Sequence, residues 1–245
     1  MNERAVSDVV GYVLVFSLIV VTVGVVTTVG FSTLDDRQTA EQINNAERAF
    51  DVFASNVENI YRDGAPSRAT EMRLSGGTLQ YGDPVTITIQ DANNSNVNHT
   101  VQTIPLVYSE GDTEIVYVAG GVIRNDRGSS VMLREPPFRI DSERTLLPLI
   151  QTTVFPDLTT VSVDGTVRIT ATSIERASIP IAELSDADEI RITVTSTRDD
   201  AWVRYFNDRE AEIDGSVVNE EEVSYTFSTE ELSIPQSRIQ LRLNR

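Results

Sequence analysis

The feature that most constrains this chain is an uncharged run of 23 residues, Val9–Phe31. At about 1.5 Å of rise per residue, a helix of this length measures roughly 34 Å, which is enough to cross the hydrocarbon core of a bilayer. Within lipid, only a helix satisfies every backbone N–H and C=O group of a single spanning segment. The sequence therefore predicts one transmembrane helix, which we assign to residues 6–33.

The run differs from a removable secretory signal. It is longer than the usual apolar region of about 7–15 residues, and no A-x-A-like site follows Phe31. Arg4 precedes the run, whereas Asp35 and Asp36 follow it, which favours a cytoplasmic N-terminus and an extracellular C-terminal domain. We expect a single-pass anchor that stays on the mature protein.

The residues before the run form a recognisable motif. They read Arg4-Ala5-Val6-Ser7-Asp8-Val9-Val10-Gly11, and this segment resembles the N-terminal segment of haloarchaeal type IV pilin-like proteins. The resemblance implies cleavage by a prepilin peptidase between Ala5 and Val6, with residues 1–5 as the leader peptide. It also implies other pilin-like subunits as partners.

Two positions depart from that family pattern. Asp8 stands where many major pilins of this type have Pro, and Val10 stands where many bacterial pilins carry Glu. The chain therefore resembles a minor or divergent member. Asp8 could serve as a helix-terminal acid, which the helix dipole stabilises by about 0.3–1 kcal/mol. Alternatively, it could pair with the freed amino group of Val6 on a neighbouring subunit.

A second pattern follows the membrane run. Apolar residues recur at spacings of 3, 4, 3, 4 and 3, which indicates one face of an amphipathic helix over residues 34–63. This helix seam consists of Ile43, Ala46, Phe50, Phe53, Val57 and Ile60. Gly64 and Pro66 end the pattern. The seam could pack on the chain's own β domain, line a filament core, or do both; Asp35 and Asp36 could mark a break.

Residues 64–245 read as strands and turns, and we expect an extracellular β-rich domain. The fold class predicted is α+β: a long N-terminal helix, transmembrane and then amphipathic, followed by an antiparallel β-sandwich-like domain. The predicted strands are Met72–Leu79 with a Gly-Gly turn, Val85–Ile89, Val101–Tyr108, Glu114–Val118, Val131–Leu133, Val161–Thr172 as a hairpin at Asp164-Gly165, Ile190–Ser196, Trp202–Phe206, Val223–Phe227 and Ile239–Leu243.

Composition narrows the function classes. The net charge is -17, and all 20 basic residues are Arg. Such a surface repels nucleic acid, so we expect no nucleic-acid partner. Acid-rich, Lys-free composition is typical of salt-loving organisms, because molar salt screens charges beyond about 3 Å. The chain has no Cys and one His, His99, which excludes thiolate catalysis and His-rich metal sites.

The remaining polar motifs lie in the β region. Asn93 and Asn98 each begin an N-glycosylation sequon within one polar loop, so we expect a glycoprotein. Asp186, Asp188 and Glu189, like Glu220–Glu222, could hold Ca²⁺, but they lack the full EF-hand spacing, and a solvated acidic loop is the more usual explanation. We predict no catalytic residues, no metal and no cofactor.

Taken together, the sequence predicts a membrane-anchored, pilin-like cell-surface structural protein of an archaeon, with an adhesion role or a place in a type IV pilus-like filament. It is not expected to be an enzyme. The alternative is a single-pass anchored extracellular β domain that binds a ligand or another surface protein, or acts as an enzyme, without polymerising.

Overall fold

The computed structural model describes residues 3–155, 160–179, 189–210, 215–219 and 222–244. Helix α1 spans Glu3–Tyr61, and helix α2 spans Asp199–Glu210. The strands are β1 Ser67–Tyr81, β2 Val85–Asp91, β3 Asn98–Thr103, β4 Leu106–Glu110, β5 Thr113–Val118, β6 Gly121–Asp126, β7 Ser129–Arg134, β8 Arg144–Leu146, β9 Leu149–Val154, β10 Thr160–Ser178, β11 Ile190–Thr195, β12 Gly215–Asn219, β13 Val223–Phe227, β14 Glu231–Ser233 and β15 Pro235–Asn244.

The chain divides into two units, Met1–Gln42 and Ile43–Arg245. The first unit is helical from Glu3 onward, and its helical backbone includes Asp35 and Asp36, so these acids do not end α1. The second unit holds the last turns of α1 and all the described strands. The predicted α+β fold class is therefore confirmed.

Two sheets dominate the second unit. The larger has eight strands in the order β7-β6-β5-β4-β1-β10-β15-β9, and the other has five in the order β12-β13-β11-β2-β3. Pairing is antiparallel except for β15 with β9 and the small β14–β8 pair. The predicted antiparallel sandwich is thus correct in outline, with two parallel exceptions.

Strands β4 and β5 explain how three layers form. Leu106, Tyr108 and Tyr117 belong to the core shared with α1. Val107 and Val116 alternate with them and belong to the core shared with the five-stranded sheet. Side chains of a strand point alternately to opposite faces, so a sheet covered on both faces reads as a continuous apolar run. The eight-stranded sheet is consequently the middle layer, between α1 and the second sheet.

Two predicted turns are absent. Gly76-Gly77 lies inside β1, where the register against β10 shifts between Ser75 and Thr78. A side chain on Gly77, at φ +76°, would come within 2.7 Å of the Ser109 carbonyl oxygen, so Gly allows a β-bulge there and not a turn. Asp164-Gly165 likewise lies within β10, where Ser75 and Leu74 of β1 pair with Asp164 and Gly165.

The predicted strand Trp202–Phe206 is wrong, since these residues lie in α2. Ala201, Trp202, Tyr205 and Phe206 are all buried, and this spacing of one, three and one is that of a helix face and not of a strand. Asp199 and Asp200 occupy the first turn, where acids suit the helix dipole. Trp202 is a core aromatic, in the cluster shared with the five-stranded sheet.

Candidate functional site

The first unit presents an exposed apolar helical surface. From Val10 to Thr27 the mean hydropathy is 2.5, and no part of this window is buried. The exposed side chains include Tyr12, Leu14 and Leu18, the last 66% exposed. Among the described residues, this is the one helix long and apolar enough to cross a membrane. An apolar surface of this size is typical of a segment that a bilayer or other helices cover.

The same helix segment has few polar side chains, and a hydroxyl among them is satisfied by a hydrogen bond within the helix. The Thr22 hydroxyl donates to the Leu18 carbonyl oxygen at 2.8 Å, so its polarity is satisfied inside the helix. At Gly11, nothing lies within 4 Å of where a side chain would begin. A backbone exposed in this way allows close approach of another helix.

The residues of the proposed cleavage site lie at the start of α1. Ala5, Val6 and Asp8 all have helical backbone, and the structure describes only the backbone there. Asp186, Asp188, Glu220 and Glu221 lie outside the described residues. Within the described part of the chain, no group of three acidic or His side chains is placed to hold a metal ion.

All six residues of the helix seam lie in the core shared with the eight-stranded sheet. Ala46, Phe50, Phe53, Val57 and Ile60 are fully buried, and Ile43 nearly so. Phe53 packs edge-on against Tyr117 of β5, with ring centroids 4.9 Å apart. The second half of α1 is therefore a structural part of the β domain.

Arginines from the eight-stranded sheet form ion pairs with acidic residues of this helix. The Arg124 guanidinium of β6 donates to Glu47 at 2.8 Å. Arg134 of β7 donates to Glu58 at 2.6 Å and to Asp51 at 3.0 Å. These ion pairs are partly buried and combine charge with hydrogen bonding, which makes them stronger than exposed pairs.

Arg176 of β10 donates to the Ile60 carbonyl oxygen in the last turn of α1. A cation there satisfies a carbonyl that has no partner within the helix. The sequence offered one signal for these contacts: Glu47, Asp51, Ser55 and Glu58 recur at helical spacing. It gave no indication of which arginines would meet them.

The two sequons differ in their surroundings. Asn93 is exposed in the loop between β2 and β3, where its backbone N–H donates to Asp91 Oδ1 at 2.8 Å. Asn98 begins β3, and its side-chain amide donates to the Ser95 carbonyl oxygen at 2.7 Å. The hydroxyl of Thr100, the last sequon residue, lies 3.0 Å from that of Thr88 across the strand pair. Asn98 is exposed as well, but its amide nitrogen, the atom that would carry a glycan, is engaged in the hydrogen bond to Ser95.

Comparison with known proteins gives one match. The model of a family of unknown function, DUF7289, matches residues 4–242. No curated protein matches the chain, and no solved structure does. The matched range contains the apolar helix, both sheets and α2, so these parts occur together as one family unit. The chain belongs to DUF7289, a family whose function is not known.

Proposed function

We propose that this protein is a membrane-anchored, pilin-like structural protein of the cell surface. One helix serves two environments: its first half is apolar and exposed, and its second half is part of the core of a β domain. The exposed window Val10–Thr27 is the observation that supports the proposal most directly. A structural role without catalytic activity suits this organisation.

The N-terminal motif supports the pilin-like part of the proposal. Arg4, Ala5 and Val6 match the order of charged, small and apolar residues that a prepilin peptidase recognises in the family the segment resembles. Cleavage there would leave the apolar helix on the mature protein. The helix would then either stay in the membrane or pack with helices of other subunits in a filament.

The charge distribution around the helix supports the proposed orientation. Arg4 on the N-terminal side and the acids Asp35 and Asp36 on the other side favour a cytoplasmic N-terminus. The β domain then lies outside the cell. It has no Cys and so no disulfides, and its two buried cores stabilise it instead.

Electron microscopy of sheared cell-surface fractions tests the filament role. Immunogold labelling of the β domain on filaments is the expected result, and Asp8→Asn should abolish labelled filaments while cleavage and membrane abundance stay normal. Asp35→Asn, which removes an acid beyond the apolar run, is the matched control and should keep them. If the wild-type protein is found only in the membrane, never on filaments, the protein is a solitary anchor.

A further inference from the structure

Two adjoining clefts lie beside the last turns of α1, within the second unit. One has a volume of about 320 Å³ and the other about 340 Å³. They share Glu58, Tyr61, Pro137 and Arg139 as walls. Each is within the range of roughly 300–1,000 Å³ that small-molecule sites occupy.

The clefts concentrate arginine. Four guanidinium groups line them, and they belong to Arg62, Arg134, Arg139 and Arg209; the two lining carboxylates are Glu58 and Glu135. Asp63 and Asp51, beside the clefts, also pair with Arg62 and Arg134, so the charges of these eight groups balance. The attraction of the clefts for an anion therefore depends on an arginine that none of these carboxylates neutralises.

Both carboxylates are already paired. Glu58 accepts from Arg62 and Arg134, and Glu135 accepts from Arg209 at 2.6 Å. Among the residues that the structure describes, no carboxylate lies within ion-pair distance of the Arg139 guanidinium. Its backbone is fixed by two hydrogen bonds with Leu146, at 2.9 and 2.8 Å. Arg139 is therefore an exposed cation on a fixed backbone, with donors available to a ligand.

The rest of the wall is mainly apolar. It consists of Tyr61, Pro137, Leu146, Pro148 and Pro235, with Ser237 as a polar member and with Gly120 and Phe138 in the second cleft. Pro137 lies so close to Gly120 that a side chain at position 120 would come within 2.7 Å of the proline ring. Proline rings and one tyrosine ring give a flat surface that loses little entropy when a ligand ring packs on it.

Tyr61 adds a hydrogen-bond donor at the same place. Burial, and next the negative charge of Glu58, raise the pKa of Tyr61 to about 12. A tyrosine hydroxyl is protonated at neutral pH in any case, and here it can donate to an oxygen atom of a ligand.

We propose that these clefts bind a small organic acid whose carboxylate is attached to a six-membered ring. The carboxylate pairs with the Arg139 guanidinium, whose planar donors fit two carboxylate oxygens at once. The ring lies on Tyr61 and the prolines. A hexuronic sugar acid and an aromatic acid share this chemistry. This site is independent of the proposed anchoring role and goes beyond it.

Isothermal titration calorimetry of the full-length protein in detergent micelles tests the proposal by measuring the affinity of each ligand. The probes are D-glucuronate and benzoate, with glucose and benzyl alcohol as their neutral counterparts. At least one acid should bind with a dissociation constant of about 1 mM or tighter, and its neutral counterpart should bind at least tenfold more weakly. Whichever acid binds identifies the ligand as sugar-like or aromatic.

Arg139→Gln and Arg73→Gln provide the matched pair of variants. Both remove one exposed arginine, but Arg73 lies in β1 and lines neither cleft. Arg139→Gln should weaken binding at least tenfold, and Arg73→Gln should leave it unchanged. No heat from either acid at about 20 mM overturns the proposal, as does equal binding of acid and neutral counterpart. The neutral-ligand comparison needs only the wild-type protein, so it decides even if a variant fails to fold.

Discussion

Arg134 shows how a single side chain can connect distant parts of this fold. Its guanidinium reaches three acceptors on α1, Asp51, Ser55 and Glu58, and 26% of the side chain is exposed. Partial burial keeps water and salt from replacing these hydrogen bonds. An exposed pair such as Arg168 with Glu71 lacks that protection.

We expect Arg134→Met to lower the free energy of unfolding by about 1–3 kcal/mol, because it leaves Glu58 with less compensation in a half-buried setting. Arg168→Met is the control, and its cost should be below about 1 kcal/mol. Thermal unfolding of the full chain in detergent micelles measures both. Equal losses for the two variants would show that the contacts of Arg134 contribute no more than an exposed pair.

The sequons give a second prediction at the level of single residues. If the protein is glycosylated, the modification should be at Asn93, because Asn98 and Thr100 are engaged in hydrogen bonds at the start of β3. Mass spectrometry of peptides from the native protein measures this, with Asn93→Gln and Asn98→Gln as the paired variants. A glycan found on Asn98 with Asn93 bare would contradict the structural argument.

At the scale of elements, the second half of α1 has a buried face and an exposed face, and substitutions on the two should affect stability differently. Its seam residues form part of a core, so truncating one leaves a cavity. Its exposed face contributes little to the stability of the β domain. Phe53 and Val52 are neighbours in sequence that belong to these two surfaces, since Phe53 is fully buried and Val52 is 54% exposed.

Phe53→Ala should therefore destabilise the β domain by about 3–5 kcal/mol, through lost burial and the cavity against Tyr117. Val52→Ala should cost less than about 0.5 kcal/mol. Chemical denaturation followed by Trp202 fluorescence measures both, since Trp202 lies in the second core of the same unit. A small effect of Phe53→Ala would mean that α1 is not needed to hold the domain together.

The elements also show what sequence patterns can and cannot give. The spacing of the apolar residues from Ile43 to Ile60 predicts the buried face of α1, because the side chains on one face of a helix recur every three or four residues. The short segment around Trp202 was predicted as a strand, because its apolar and aromatic composition outweighed the helical spacing of four buried residues. Asp164-Gly165 has the composition of a hairpin turn. Its actual conformation is decided by pairing with β1, which lies far away in sequence.

The arginine contacts and the clefts depend even more on distant parts of the chain. Arg124 and Glu47 are 77 residues apart, and Arg176 and Ile60 are 116 apart. No local pattern connects such pairs. The long apolar helix was predictable for the opposite reason: its length and lack of charge are local properties of one uninterrupted run.

For the whole molecule, the dependence of stability on pH should come mainly from carboxyl groups whose pKa the fold lowers. Burial alone would raise the pKa of Glu114, but hydrogen bonds from Asn125 and Arg198 bring that pKa below its usual value. Hydrogen bonds from Thr113 and Arg124 likewise lower the pKa of Asp126. Burial lowers the pKa of His99 below its ordinary value of 6.5.

A lowered pKa in the folded state means that the unfolded chain binds protons more readily, so stability is lost as pH falls. We expect a slight decline in melting temperature below about pH 6.5 from His99, and a steeper one below about pH 4 from the carboxyl groups. Glu114→Gln should reduce the steeper decline, whereas Asp112→Asn, at an exposed turn, should not. If the melting temperature of Glu114→Gln falls below about pH 4 as steeply as that of the wild type, Glu114 is not a source of the decline. Molar salt should be present throughout, because it screens the self-repulsion of the net charge.

The central claim is that the apolar helix is clipped at its N-terminal end and kept as an anchor. Intact-mass spectrometry of the protein purified from native membranes, with N-terminal sequencing, tests this most directly. The account predicts a mature chain that begins at Val6 and retains the whole run Val9–Phe31. A chain that begins at Met1 or Asn2 would contradict the pilin-like processing. A chain that begins after Phe31 would contradict the anchor itself.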